Sequence, residues 1–154
     1  MTDQLNFKKR LLQHCMLSIQ QRIDAALLAM DNAQSAANSE EKSSAGDKYE
    51  TGRAMSHLEK DMHARQLVAN QHELAALTSV DCTTRLHVIV DAGSVVVCDE
   101  VKFFIAAGLG KMLFEGETIL ALSPNAPVAK LLLRKVAGSS FLFNNKIVFI
   151  KEVF

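Results

Sequence analysis

From Leu5 to Ala37 the apolar residues recur at alternating spacings of three and four. The seam runs Leu5, Lys9, Leu12, Met16, Ile19, Ile23, Ala26, Met30, Ala33 and Ala37, and only Lys9 breaks it. No Gly or Pro interrupts the run, which predicts one helix of 33 residues, roughly 50 Å long at the α-helical rise. Asn38 to Gly46 then has no large apolar residue and predicts a loop or a frayed helix end. A second helical run follows from Asp47 to Leu77, with a seam of Met55, Leu58, Met62, Ala69 and Ala76 that Arg65 and His72 interrupt. Two helices of matched length around a short polar, glycine-containing loop predict an antiparallel hairpin. One long helix pairing with a second copy of itself is the alternative.

At Thr78 the period changes. Arg85 to Asp91 is rich in β-branched residues, and Gly93-Ser94 separates it from a further run to Cys98. Val101 to Ala107 and Lys111 to Phe114 are strand candidates split by Gly108-Leu109-Gly110, and Glu117 to Leu122 is another. Ser140 to Phe143 and Lys146 to Val153 flank Asn144-Asn145, a two-residue hairpin signal. One helix interrupts the strands: Ser123-Pro124-Asn125-Ala126-Pro127 leads into Val128 to Arg134, with Pro127 suited to the first turn and Gly138 placed to stop the helix. The chain therefore reads as α+β. An antiparallel helical hairpin occupies 1–78, and a small antiparallel β-sheet domain with one short helix occupies 79–154.

Composition narrows the function classes. The chain has 154 residues, 49% of them apolar, and no formal net charge. That is a folded protein, and it argues against non-specific DNA binding over the whole surface. The neutral total hides an asymmetry. Lys130, Arg134, Lys135, Lys146 and Lys151 form a stretch free of acids, while Asp31 to Glu50 holds five acids against two lysines. Cys15, Cys82 and Cys98 show no metal spacing, which suits reduced thiols in a cytoplasm. The N-terminal run lacks a signal-peptide pattern, and no window has the apolar length of a membrane span.

Standard catalytic constellations are missing. Gly108 to Lys111 is too short for a phosphate loop, and no nucleophile-elbow pattern occurs. His14, His57, His63, His72 and His87 have no metal-ligand spacing, so each is expected to be a solvated or half-buried histidine. There is no tryptophan and Tyr49 is the only tyrosine, so any base-stacking platform would have to use phenylalanine. That leaves the hairpin tip. Asp47 and Glu50, spaced i, i+3, share a helix face. Mg²⁺ commonly takes one or two protein carboxylates and fills its shell with water and phosphate. Two acids on a thin probe can complete a metal site inside another macromolecule. Ser44-x-x-Asp47 and Asp47-x-x-Glu50 also fit capping boxes, and acids in a first turn suit the helix dipole.

These parts resemble the bacterial Gre transcript cleavage factors over essentially the whole chain. The family's tip motif, Gly-Asp-x-x-Glu-Asn-Ala-Glu-Tyr, is matched by Gly46-Asp47-Lys48-Tyr49-Glu50-Thr51-Gly52-Arg53-Ala54. Its C-terminal motif, Ser-Pro-x-Ser-Pro followed by a leucine-rich run and Gly-Lys, corresponds to Ser123-Pro124-Asn125-Ala126-Pro127 through Arg134-Lys135, with Arg134 in the place of the family's glycine. The resemblance implies an FKBP-like C-terminal domain docked at the rim of the RNA polymerase secondary channel. Ser123, Pro124, Pro127, Lys130, Arg134 and Lys135 are the expected contacts. It implies that the hairpin enters the channel and that Asp47 and Glu50 help hold a second Mg²⁺, shared with the polymerase active site. The polymerase then hydrolyses its own backtracked RNA at the 3′ end. On this reading the chain is a cytoplasmic monomer, a transcription elongation factor that stimulates a nuclease and is not itself an enzyme. Where the family has an asparagine, an acid and a tyrosine, this chain has Thr51, Arg53 and Ala54. Those differences motivate the alternative of a secondary-channel regulator that does not cleave. A coiled-coil interaction protein is the third reading.

Overall fold

The computed structural model describes residues 2–41, 46–81 and 84–154, with backbone alone at 40, 41 and 46–49. Two long helices come first, α1 (Thr2–Glu41) and α2 (Gly46–Ser79). The strands β1 (Val95–Val97), β2 (Lys102–Ile105), β3 (Gly110–Phe114) and β4 (Glu117–Leu122) follow. The short helix α3 (Pro127–Leu132) precedes β5 (Ser140–Phe143), β6 (Lys146–Phe149) and β7 (Glu152–Val153). The α+β class and the N-terminal hairpin are as expected, and both helices run past their expected ends. Packing divides the chain into two units, one of Ser18–His72 and one of the residues up to Leu17 with Glu73–Phe154.

In the first unit the two helices lie antiparallel. Ile19, Ile23, Ala26, Ala33 and Ala37 are buried along α1, as the seam predicts. The expected α2 seam is incorrect. Met55, Leu58 and Met62 are 59%, 65% and 46% exposed. The inward row is one position away: Ser56, Lys60, His63, Leu67 and Asn70 are buried or half-buried at the same alternating spacing. In the other unit, Leu77 of α2 is fully enclosed. The polar residues turned inward lie over small ones. Ala25, Ala26 and Ala29 face His63, Gln66 and Asn70 across a shallow groove, and Lys60 donates to Gln34 Oε1 at 2.7 Å. A lysine stem covers apolar surface while its head finds a partner.

The second unit is built on a five-stranded sheet in the order β3-β4-β2-β1-β7. It is not wholly antiparallel. The chain leaves β2, forms β3 at the edge and returns as β4 between β3 and β2, so β2 and β4 pair in parallel, Phe103 opposite Leu120. Arg85–Asp91 is not a strand. It makes one bridge, Ile89 to Val136, and Val90 exchanges backbone bonds with Arg134 and Lys135. The expected strand Lys146–Val153 is divided between sheets: β6 pairs with β5, and β7 pairs with β1. Both tight hairpins use two successive left-handed residues, Glu115-Gly116 and Asn144-Asn145, which match the twist of the strands they join.

One face of the sheet receives the base of α1. Phe7 meets Phe114 and Phe154 edge-on at 5.6 and 6.0 Å, and the Lys102 ammonium lies 4.8 Å from the centre of the Phe7 ring. Arg10 holds Glu115 through two bonds, at 2.6 and 3.2 Å. At this end the buried positions of α1 are Lys8, Leu11 and Cys15, where the seam predicted Lys9, Leu12 and Met16. The helix turns toward the sheet here, and not only toward α2. The other face is the main core: Phe103, Ile105, Ala129, Leu132, Phe141 and Ile150 pack together beneath α3 and the β5–β6 hairpin. Glu73 on α2 accepts the Gly108 N–H at 2.6 Å, and a Cβ at Gly108 would stand 3.3 Å from that carboxylate. The glycine allows this close approach.

Candidate functional site

The tip acids lie at the start of α2. Residue 47 is in the first helical turn and residue 50 one turn on, so the two positions share a helix face. Glu50 is exposed. The side chain of Asp47, and all of Ser44, lie outside the described residues. Carboxylates are hard oxygen donors that suit Mg²⁺, and two on one turn form an incomplete set that needs further oxygens from elsewhere. Arg53, three residues beyond Glu50, is half-buried, and Ala54 is exposed. The cation therefore stands on the same helical ridge as the acids.

The proline-rich segment forms a turn and then α3. Ser123 accepts the Ala126 N–H through its carbonyl at 3.0 Å and the Asn125 N–H through its hydroxyl at 3.3 Å. Ala126 is the N-cap, without a side-chain cap, and Pro127 takes the first turn, where a missing N–H leaves nothing unsatisfied. Ser123, Pro124 and Lys135 are half-buried, whereas Pro127, Lys130 and Arg134 are exposed. The helix ends earlier than Gly138. Arg134 adopts φ 69°, its N–H donates to Val90 O at 2.8 Å, and Lys135 N–H donates to Leu132 O at 3.1 Å. This left-handed position usually takes glycine, and a side chain there costs about 1–2 kcal/mol.

Two further groups carry chemistry that spacing did not indicate. Lys8 is fully buried. Its ammonium lies 3.2 Å from His87 Nδ1 and 3.3 Å from the Arg85 carbonyl. His87 Nε2 is buried without a partner among the described residues. Burial lowers the His87 pKa, the positive charges of Lys8 and Arg85 lower it further, and Asp91 and Asp81 oppose them. The folded state thus binds a proton on His87 less readily than the unfolded chain does. Its contribution to stability is complete above the unfolded value of about 6.5 and is lost as pH falls toward the lower folded value. Chemical denaturation across that range should show stability declining with acid, by at most about 1.4 kcal/mol per pH unit. His87→Gln should flatten the decline. No sequence signal marked Lys8, because one buried lysine among exposed ones has no periodic signature.

The thiols of Cys15 and Cys98 are buried. Burial, helped by Asp99, pushes Cys98 up to about 11. A buried thiol with so little thiolate is a poor nucleophile. In native protein near neutral pH, iodoacetamide should leave both unmodified over hours, and denaturant should make both react within minutes.

No helix among the described residues is long and apolar enough to cross a membrane. No protein-family model and no curated protein matches the chain.

Proposed function

We propose that this chain is a transcription elongation factor that acts through the secondary channel of bacterial RNA polymerase. The hairpin carries Asp47 and Glu50 to the polymerase active site, where they help bind the second Mg²⁺ and so promote cleavage of backtracked RNA. The observation that carries the reading is the exposed Glu50 one helical turn from position 47, at the start of α2 in a long antiparallel hairpin. The Ser123–Pro127 turn ahead of α3, in the context that the resemblance to Gre factors implies, supports it. On this reading the sheet unit is an FKBP-like docking module whose contacts include Ser123, Pro124, Pro127, Lys130, Arg134 and Lys135. When bound, Mg²⁺ supplies charge neutralisation at the scissile phosphate. The chain's own part is to present two carboxylates one helical turn apart. It hydrolyses nothing alone, because two oxygen ligands leave most of the metal's shell to the polymerase and the RNA.

A second reading is favoured by Arg53. A cation on the ridge of Glu50 lowers the negative potential there. The chain then occupies the channel and modulates initiation or pausing without cleavage. A third, a coiled-coil interaction protein, is favoured by the exposed row Met55, Leu58 and Met62. Light scattering tests that one, and a strictly monomeric mass at high concentration excludes self-pairing. The assay that separates the first two adds the purified protein and Mg²⁺ to a stalled, backtracked elongation complex. Release of short 3′ RNA fragments supports the first reading. Binding without release supports the second, and absence of binding removes both.

A further inference from the structure

Between the five-stranded sheet and the tip of the β5–β6 hairpin lies a cleft of about 520 Å³, a size typical of small-molecule sites. Val101 and Leu120 line it on the side of the larger sheet, and Phe143 and Val148 on the side of the hairpin. All four pack against the main core and are only half-buried. The core therefore stops short of the hairpin tip and leaves apolar surface facing the space. Phe103 meets the Phe143 ring edge-on at 5.4 Å, so this wall is already in place without a ligand.

The strand register puts a cation on each wall. Lys111 is directly opposite Leu120 in the β3–β4 pair, and Lys146 is directly opposite Phe143 in the β5–β6 pair. Residues opposite each other across two strands share a face, so each lysine stands on the same face as an apolar lining residue. Both lysines line the cleft, and neither has a carboxylate partner among the described residues. The acids of the cleft are Asp99 and Glu100, in the turn between β1 and β2. Asp99 is paired with Lys151 at 2.7 Å, which leaves Glu100 against the two lysines. The balance favours a single negative charge. We infer that this cleft binds a small monocarboxylate with an apolar body. The body covers Val101, Leu120, Phe143 and Val148, and the carboxylate lies between the ammonium groups of Lys111 and Lys146. A nucleotide or other polyanion fits less well, because its further charges meet Glu100 and Asp99. An amine fits less well, because it adds a third cation beside two lysines.

This inference does not depend on the tip acids, and its test contains no polymerase, so the two readings fail separately. The probes are 2-naphthylacetate, its neutral alcohol and amine counterparts, and adenosine monophosphate. The intact chain should bind the carboxylate saturably, with a dissociation constant of about 1 mM or tighter. The alcohol and the amine should each bind at least about fivefold more weakly, and added salt should weaken only the carboxylate. Amide shifts should centre on Val101, Lys111 and Leu120, the wall of the larger sheet. The double variant Lys111→Met with Lys146→Met should weaken carboxylate binding at least about fivefold with an unchanged melting temperature, and Lys111→Arg with Lys146→Arg should keep it. Glu100→Gln should tighten it about twofold or more, since a like charge is removed. The inference is overturned by any of five results: no saturable binding, equal affinity for the alcohol or the amine, tighter binding of adenosine monophosphate, binding that survives the double methionine variant, or shifts that centre on Leu142 and Phe149, on the hairpin's outer face.

Discussion

Asp47→Ala and Glu50→Ala should each slow release of 3′ RNA fragments from a backtracked complex by about 100-fold or more, the usual loss when one preorganised electrostatic group is removed from a transition state. Affinity for polymerase should change far less. On the proposed reading the carboxylates act at the tip, and docking belongs to the Ser123–Pro127 turn and the basic residues after it. A truncation that removed folding would lose both activities together, so the divergence of the two readouts is the diagnostic result. Arg53→Glu adds a second arm. If Arg53 weakens metal binding, replacing it with an acid should raise the rate of release. If wild type binds without cleaving and Arg53→Glu cleaves, the arginine is what makes the chain a non-cleaving regulator. If neither variant nor wild type releases RNA while all bind, the tip acids serve the helix as first-turn charges and the cleavage reading fails.

Phe103→Ala should have the largest effect on stability. Phe103 is fully buried on β2, with the Phe141 and Phe143 rings edge-on at 5.7 and 5.4 Å. It is the ring on which the β5–β6 hairpin closes over the five-stranded sheet. Truncation removes the transfer energy of the ring and leaves a cavity that strands hydrogen-bonded on both sides cannot close. The loss should be about 3–5 kcal/mol, or roughly 6–20 °C in melting temperature for a chain of this size. Phe103→Leu, which keeps much of the volume, should cost markedly less. The two packing units need not melt together, so amide signals from β2 and β4 should be followed separately from those of residues 18–72. A loss of less than about 1 kcal/mol in the sheet unit would contradict the packing described.

Much of this protein follows from local pattern. The length of α1 comes from sustained spacing without glycine or proline, and both tight hairpins come at turn residues, Asn144-Asn145 and Gly116. The first turn of α3 follows from Pro127, a residue with no amide hydrogen to satisfy. The pairing i, i+3 of Asp47 and Glu50 needs only the helical repeat. Local pattern could not decide what depends on contacts between distant segments. Met55, Leu58 and Met62 form as good a seam as any on α2, yet they face out, because the row containing Ser56, Lys60 and His63 is the one packed against α1. Lys8 is buried and Lys9 exposed, because the base of α1 meets His87 and the Arg85 carbonyl. The β-branched run Arg85–Asp91 makes a single bridge, because its Val90 exchanges backbone bonds with Arg134 and Lys135 just beyond α3 and not with a sheet strand. The outer face of β5–β6 has the same alternation as an inner face, and only the tertiary structure determines which of the two is covered. Periodicity depends on the geometry of one segment, whereas the choice of face depends on which other segment buries more apolar surface against it.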